Sequence, residues 1–425
     1  MKITLMKRAA ERYTKIQSYR PYGRVLQSVR ARGDVWMASQ GEYASWWDRR
    51  HSASLSIDVS EAECIVSSDL DDAVFEKYPG EFLTSKTVGC PGCSFSGDLQ
   101  WVVDASLTRQ ELLIEALRRE GIMNISLGED GEFFLSHELD DILERMELHL
   151  LRQELAEYDE TIVAIRDSVV ARLAKQGLPL IRIWYNPRID GKVMKGVFSP
   201  RHDVERALTN VPRIVKLEHE YGAGSTVYIR VFQSFYNDKE TSELASLPDP
   251  VEIALHAEFF AHAEKHGSEE DAARADKAHL AAVVGRPVAG VSNHGGELVE
   301  NYTPNYWGAV SGAEFLWTIS QRAFPYYLPY RWLTNDGQLS DTYCICYQFR
   351  DIGIPYENFA DAFYEQALQD LDKAVEHGGA LVLMFHPGFF GFFSYLLTPK
   401  NFMRLVRFMP TYARRVLQGP VNRPE

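Results

Sequence analysis

The chain has 425 residues, 45% of them hydrophobic and 24% charged, with 59 acidic against 45 basic side chains and a formal net charge of -14. That length exceeds what a single core supports economically, about 250 residues, so two domains or one large domain with an extension are expected. The acidic balance argues against a nucleic-acid or anionic-membrane surface, which needs clustered Lys and Arg, and suits a neutral or cationic small ligand or a glycan.

The five cysteines, Cys64, Cys90, Cys93, Cys344 and Cys346, are too few and odd in number for a disulfide framework. No apolar run of signal-peptide length follows the basic positions Lys2, Lys7, Arg8, Arg12 and Lys15, and no stretch of about 18 apolar residues occurs. The sequence therefore reads as cytoplasmic, with reduced thiols.

Residues 1–52 have a mostly helical pattern and end in a strand-like run, Val35-Trp36-Met37-Ala38, and an amphipathic turn from Glu42 to Trp47. Residues 53–180 are expected to form an accessory region. Short alternating runs such as Leu55-Ser56-Ile57-Asp58-Val59, broken at Pro79-Gly80 and Gly89-Cys90-Pro91-Gly92, predict a small β-layer. From Ser106 to Gln176 the period lengthens to that of helices, over Thr108 to Glu120 and about His137 to Lys175.

Residues 181–425 change character. Strands are expected at Val197–Ser199, Ser225–Phe232, Val251–His256, Val288–Ser292, Tyr343–Tyr347 and Leu381–Phe385, with helices between many of them, as at Glu205–Tyr221 and Ala257–His266. Repeated β-α units imply a parallel sheet, and about 240 residues suffice to close it into a barrel. The fold class is thus α/β, with an N-terminal β-layer and a helical accessory region.

Catalytic groups of β/α barrels gather at the C-terminal ends of the strands, so polar residues there carry the functional argument. In Phe198-Ser199-Pro200-Arg201-His202-Asp203-Val204-Glu205 an apolar strand runs into two carboxylates two residues apart, which an extended chain points the same way. One such carboxylate can bind a metal while the other takes a proton from water. An acidic first helical turn accounts for the same pattern.

Three further strands end in histidine: Leu255-His256, Ser292-Asn293-His294-Gly295-Gly296 and Phe385-His386. A single strand-end histidine is ordinarily structural, but three in one chain converge on a site. The glycines after His294 let the backbone approach a ligand closely.

In this order, Arg201-His202-Asp203-Val204-Glu205, His256, His294 and His386 resemble the motifs of the polysaccharide deacetylase (NodB-like) family, in its divergent branch with an Arg-His-Asp-Val-Asp first motif. The resemblance spans about Val197 to Gly388. It implies a distorted (β/α) barrel of the NodB-like deacetylase type and a metal-dependent hydrolase of C–N amide bonds, acting on an N-acetylated sugar or glycan. It also implies a divalent metal, zinc above others, with Asp203 as general base, Glu205 and His256 as ligands and His386 as acid partner.

Many members carry a second histidine four residues after the first, where this chain has Phe260, and His294 is the expected replacement ligand. Arg201, Asn293 and Gly295 are the expected substrate-binding positions. A small cyclic amide as substrate, or a non-catalytic glycan-binding module, remain alternatives. The partner expected is thus a carbohydrate or small amide, with no nucleic acid and no membrane.

His262 and His266 share a helical face but, standing just before Gly267, read as solvated helix-end residues. The pair Val35–Ala38 and Glu42–Trp47 resembles the closing strand and helix of another such module, as a remnant would; an amphipathic helix with core tryptophans explains it equally. Cys90-Pro91-Gly92-Cys93 has the spacing of half a zinc site, which only Cys344-Ile345-Cys346 would complete; a tight reduced turn is the alternative. The aromatics Trp307, Phe324, Tyr326, Tyr327, Tyr330 and Trp332 read as core or as a sugar-stacking wall.

Overall fold

Parallel strands in nearly sequential order form the main sheet of the computed structural model. The structure describes residues 20–53, 181–204, 208–231, 236–294, 305–320, 340–347, 359–376 and 378–387, with short stretches at 55–59, 64–77, 81–84, 126–127, 133–134, 328–329 and 349–350. The elements that build the sheet and its cover are α1 (Arg20–Arg32), β1 (Val35–Met37), α2 (Gln40–His51), β2 (Gly196–Val204), α3 (Val211–Glu220), β3 (Ser225–Ile229), β4 (Val251–Ala257), α4 (Phe259–His266), α5 (Glu269–Val284), β5 (Gly290–Asn293), α6 (Asn305–Gly312), β6 (Trp317–Ser320), β7 (Tyr343–Cys346), β8 (Phe349–Arg350), α7 (Phe359–Glu376) and β9 (Ala380–Phe385). The strand order is β7-β6-β5-β4-β3-β2-β9-β8, with β1 paired to the start of β2.

The sheet curls. Trp317 Nε1 on β6 donates to the Tyr228 hydroxyl on β3 at 3.2 Å, and Arg201 on β2 bonds the Ser292 hydroxyl on β5. Each pair sits three strands apart, about 14 Å in a flat sheet at about 4.8 Å per strand. Only a sheet rolled towards its own inner face brings them together. With helices on its outer face, this is the distorted (β/α) barrel expected from sequence, in the form of a curled half-barrel.

Two-residue alternation sorts the side chains. Phe198, Leu381 and Leu383 face outward into a core with α1 and α7, and Val227, Ile253, Leu255 and Val291 face outward into one with α3 to α6. Val197, Tyr228, Ala254, Trp317, Tyr343 and Val382 face inward. Helix α2 fills that interior with Tyr43, Ala44, Trp46 and Trp47. It starts at a capping box, in which the Ser39 hydroxyl accepts from the Glu42 N–H and the Glu42 carboxylate accepts from the Ser39 N–H. Residues 20–51 are therefore built into the barrel's own core, and β1 lengthens its sheet.

The helix expected from Glu205 begins instead at Val211, where Pro212 suits a first helical turn, and the one expected from Ala257 begins at Phe259. In the accessory region Leu55–Val59 pairs antiparallel with Cys64–Ser68, and Val74–Lys77 lies between Glu81–Thr84 and Ile181–Ile183. The helices expected over 108–120 and 137–175, the Cys90/Cys93 pair, and the aromatics from Phe324 to Tyr327, Tyr330 and Trp332 lie outside the described residues. Trp307 is buried in α6, and Cys344 and Cys346 are buried on β7. No helix among the described residues is long and apolar enough to cross a membrane.

Candidate active site

Strand register brings the candidate residues to one place. Arg201 and Asp203 point inward from β2, while His202 between them points outward. In parallel pairs His256 on β4 lies beside Ser292 on β5, and His202 lies beside Phe385, the residue before His386. Asp203, His256, His294 and His386 therefore sit together at the C-terminal edge of the inner face.

Arg201 and Asp203 form the buried centre of this edge, with only 2% and 4% of their surfaces exposed. Arg201 donates from Nε to Asp203 Oδ1 at 2.7 Å and from Nη2 to Asp203 Oδ2 at 2.8 Å. The same guanidinium lies 4.8 Å from the Tyr228 ring centre and 5.0 Å from that of Tyr347, faces that favour a cation. His256 Nε2 stands 3.9 Å from Asp203 Oδ2. Burial alone would raise the Asp203 pKa, but Arg201, and then His256 and His386, outweigh it and hold the carboxyl below its usual range. Asp203 is thus ionised at neutral pH, with carboxylate lone pairs left over after Arg201 has used two.

A second chain of contacts orients His294. Its Nδ1 lies 2.8 Å from Glu258 Oε1, and Arg230 Nη2 donates to Glu258 Oε2 at 2.7 Å. Burial pushes the Glu258 carboxyl up, yet the His294 bond and the Arg230 charge bring it down to about 2. A fixed carboxylate at Nδ1 selects the tautomer with its proton there and leaves Nε2 as the donor atom. The His294 and His256 rings are 5.0 Å apart at 81°.

The structure therefore brings together Arg201, Asp203, His256, His294 and His386. It does not bring Asn293 to them: in register with Ala257, Asn293 falls on the opposite face of the sheet from His256. Glu205 and Gly295 lie outside the described residues. His202, inside the first motif, is a packing residue, since its Nε2 lies 2.8 Å from Glu218 Oε1 on α3 and Glu218 also bonds the Tyr22 hydroxyl of α1. His262 is not solvated as expected: it is 7% exposed, and its Nδ1 lies 2.8 Å from Asp276 Oδ1 because α5 packs over that face of α4. Sequence reading passed over Glu258 and Arg230. The signal for Glu258 was its two-residue spacing from His256, which places both on one face of β4 as it ends.

For a metal, the imidazoles of His256 and His294 at right angles, with a carboxylate behind His294, match a common arrangement of histidine ligands and their supporting shell. Among the described residues no three His, Cys, Asp or Glu side chains form a complete set of ligands. The expected third donor is Glu205, two residues beyond Asp203.

No family model and no curated protein matches the chain. Among solved structures, the chain is similar to a "putative polysaccharide deacetylase" from Mycobacterium smegmatis at 16% identity, over 54% of this chain and 95% of that one, with a TM-score of 0.34. It is also similar to a mutant CE4-family pseudoenzyme with restored enzymatic activity, at 10% identity over 51% of this chain and 62% of that one, with a TM-score of 0.26. A deacetylase of Streptococcus pyogenes in complex with acetate shares 10% identity over 39% of this chain and 70% of that one, with a TM-score of 0.25.

Proposed function

We propose that the chain is a metal-dependent hydrolase of amide bonds, and that its reaction is N-deacetylation of an acetylated sugar or glycan. The observation that carries this reading is a buried, ionised Asp203 flanked by Arg201, His256 and His386, beside a His294 whose Nδ1 is held by Glu258.

His256, His294 and Glu205 are the residues that would hold the metal, with zinc the best fit to two imidazoles and a carboxylate. Zinc when bound supplies Lewis-acid chemistry, acidifying water and polarising a carbonyl. Asp203, kept ionised beside Arg201, is the residue placed to accept a proton from a water so acidified.

Arg201 fixes the orientation of Asp203 and keeps it charged. His386, at the end of β9 and close enough to Asp203 to lower its pKa, holds the proton that the departing amine requires. Glu258 and Arg230 keep His294 in one tautomer through the cycle.

The test is acetate release from N-acetylglucosamine oligomers by zinc-loaded protein, alongside Asp203→Asn. The variant should keep its zinc and lose about 10²-fold to 10⁴-fold in kcat, the range for removing a positioned proton acceptor. Equal turnover by wild type and Asp203→Asn, or no acetate release from any N-acetylated sugar at full zinc loading, would overturn the proposal.

A further inference from the structure

Outside this edge, α4 and α5 gather a second cluster of imidazoles, of which His262 is buried and His266 partly exposed. His262 and His266, four residues apart, share one face of α4, and their Nε2 atoms are 3.2 Å apart with the rings at 87°. Behind them His262 Nδ1 lies 2.8 Å from Asp276 Oδ1 on α5. His279 of α5 stands nearby and faces Asp238 at 3.1 Å.

Two physical features distinguish this arrangement from a chance pair. First, two nitrogens 3.2 Å apart can each sit about 2.1 Å from one ion at an angle near 100°, close to tetrahedral, and a carboxylate on the far nitrogen of one ring is the usual support of a ligating histidine. Second, Asp276 is only 3% exposed, and the charged groups acting on it among the described residues are His262, His266 and His279. A carboxyl buried this deeply favours a positive charge beside it. The C-terminal end of α4, capped by Gly267, adds carbonyl dipoles of the same negative sign close to His266.

We propose that a nitrogen-seeking divalent ion, zinc or copper, binds between His262 Nε2 and His266 Nε2, with Asp276 supporting His262 and water completing the coordination. This site is separate from the one at the strand ends. His262 and His266 stand on α4, which packs on the outer face of the sheet, whereas Asp203 and His256 point to its inner face. The inference does not rest on the proposed function. The ion's role here is structural, since it would fix the two imidazoles of α4 against Asp276 of α5.

The experiment is equilibrium dialysis of chelator-treated full-length chain against zinc, with His266→Gln and Asp276→Asn beside wild type. His266 is partly exposed, so His266→Gln should fold. The expected result is one equivalent of zinc fewer in His266→Gln than in wild type, whatever the wild-type total. Asp276→Asn should keep that equivalent with affinity about 10-fold to 100-fold weaker, the usual effect of removing a histidine's supporting carboxylate. Copper loaded into His256→Ala, which retains this pair alone of the two, should show an electron paramagnetic resonance signal with two nitrogen couplings, lost in His256→Ala/His266→Gln. Identical zinc stoichiometry in wild type and His266→Gln, or a copper signal that His266→Gln leaves unchanged, would overturn the site and leave a proton shared between the two rings.

Discussion

Replacing Arg201 by Met tests how the centre is held together. Arg201→Met keeps a long apolar stem but removes both bonds to Asp203, the bond to Ser292 and the charge between Tyr228 and Tyr347. Asp203 is left as a carboxylate only 4% exposed, without its main countercharge. Breaking a buried pair by removing one partner costs about 3–5 kcal/mol, because the orphaned charge bears its desolvation alone.

The sign with pH follows from the same geometry. In wild type the Asp203 pKa lies below its unfolded value, so its contribution is present at neutral pH and is lost only as pH falls through that depressed value. In Arg201→Met the order is reversed. Burial lifts the folded pKa above the unfolded value of about 3.9, so the penalty is full at neutral pH and fades as pH falls towards that value. Urea unfolding followed by tryptophan fluorescence, at about pH 7.5 and again at about pH 5, should show the deficit shrinking at the lower pH. Adding Asp203→Asn to Arg201→Met should recover a large part of the loss at about pH 7.5. A deficit below about 1 kcal/mol, or one that is the same at both pH values, would refute the reasoning.

Two other substitutions probe the frame of the barrel. A Cβ on Gly290 would fall within the Trp317 indole, so Gly290→Ala should lower stability by about 1–3 kcal/mol or more, read as a drop in the thermal midpoint. Glu252 points into the N-terminal end of the interior, where burial, opposed by the Gly41 N–H and reinforced by Glu42, raises its pKa to about 7. Its stabilising effect is complete below the unfolded pKa of about 4.3 and is lost as pH rises through about 7. Glu252→Gln should therefore be more stable than wild type near pH 8, by on the order of 2–3 kcal/mol, with the advantage shrinking as pH falls and gone below about pH 4.

Much of the site was legible because strands carry their information in two-residue steps. Apolar runs ending in His256, His294 and His386 predicted strand ends, and a parallel sheet places such ends together. What was not legible depended on register and on distant packing. Asn293 looked like part of the His294 turn, yet its pairing with Ala257 sends it to the other face. His202 lies within the motif that carried the argument, but its alternation and the distant Tyr22 and Glu218 make it a packing residue. His262 read as solvated because the helix that buries it, α5, lies across Gly267 and contributes Asp276 from fourteen residues further on. The place of α2 inside the barrel was equally hidden, since its partners Trp317, Tyr343 and Val382 follow some 270 or more residues later. Glu205 and Gly295 lie outside the described residues, so their expected roles stand on the sequence pattern.

Zinc bound per chain in wild type against His256→Ala, both chelator-treated and reloaded, tests the central claim most directly. With His256 as a ligand at the strand ends, the variant should hold one equivalent fewer while retaining the equivalent assigned to His262 and His266. Equal zinc in the two proteins would contradict the account.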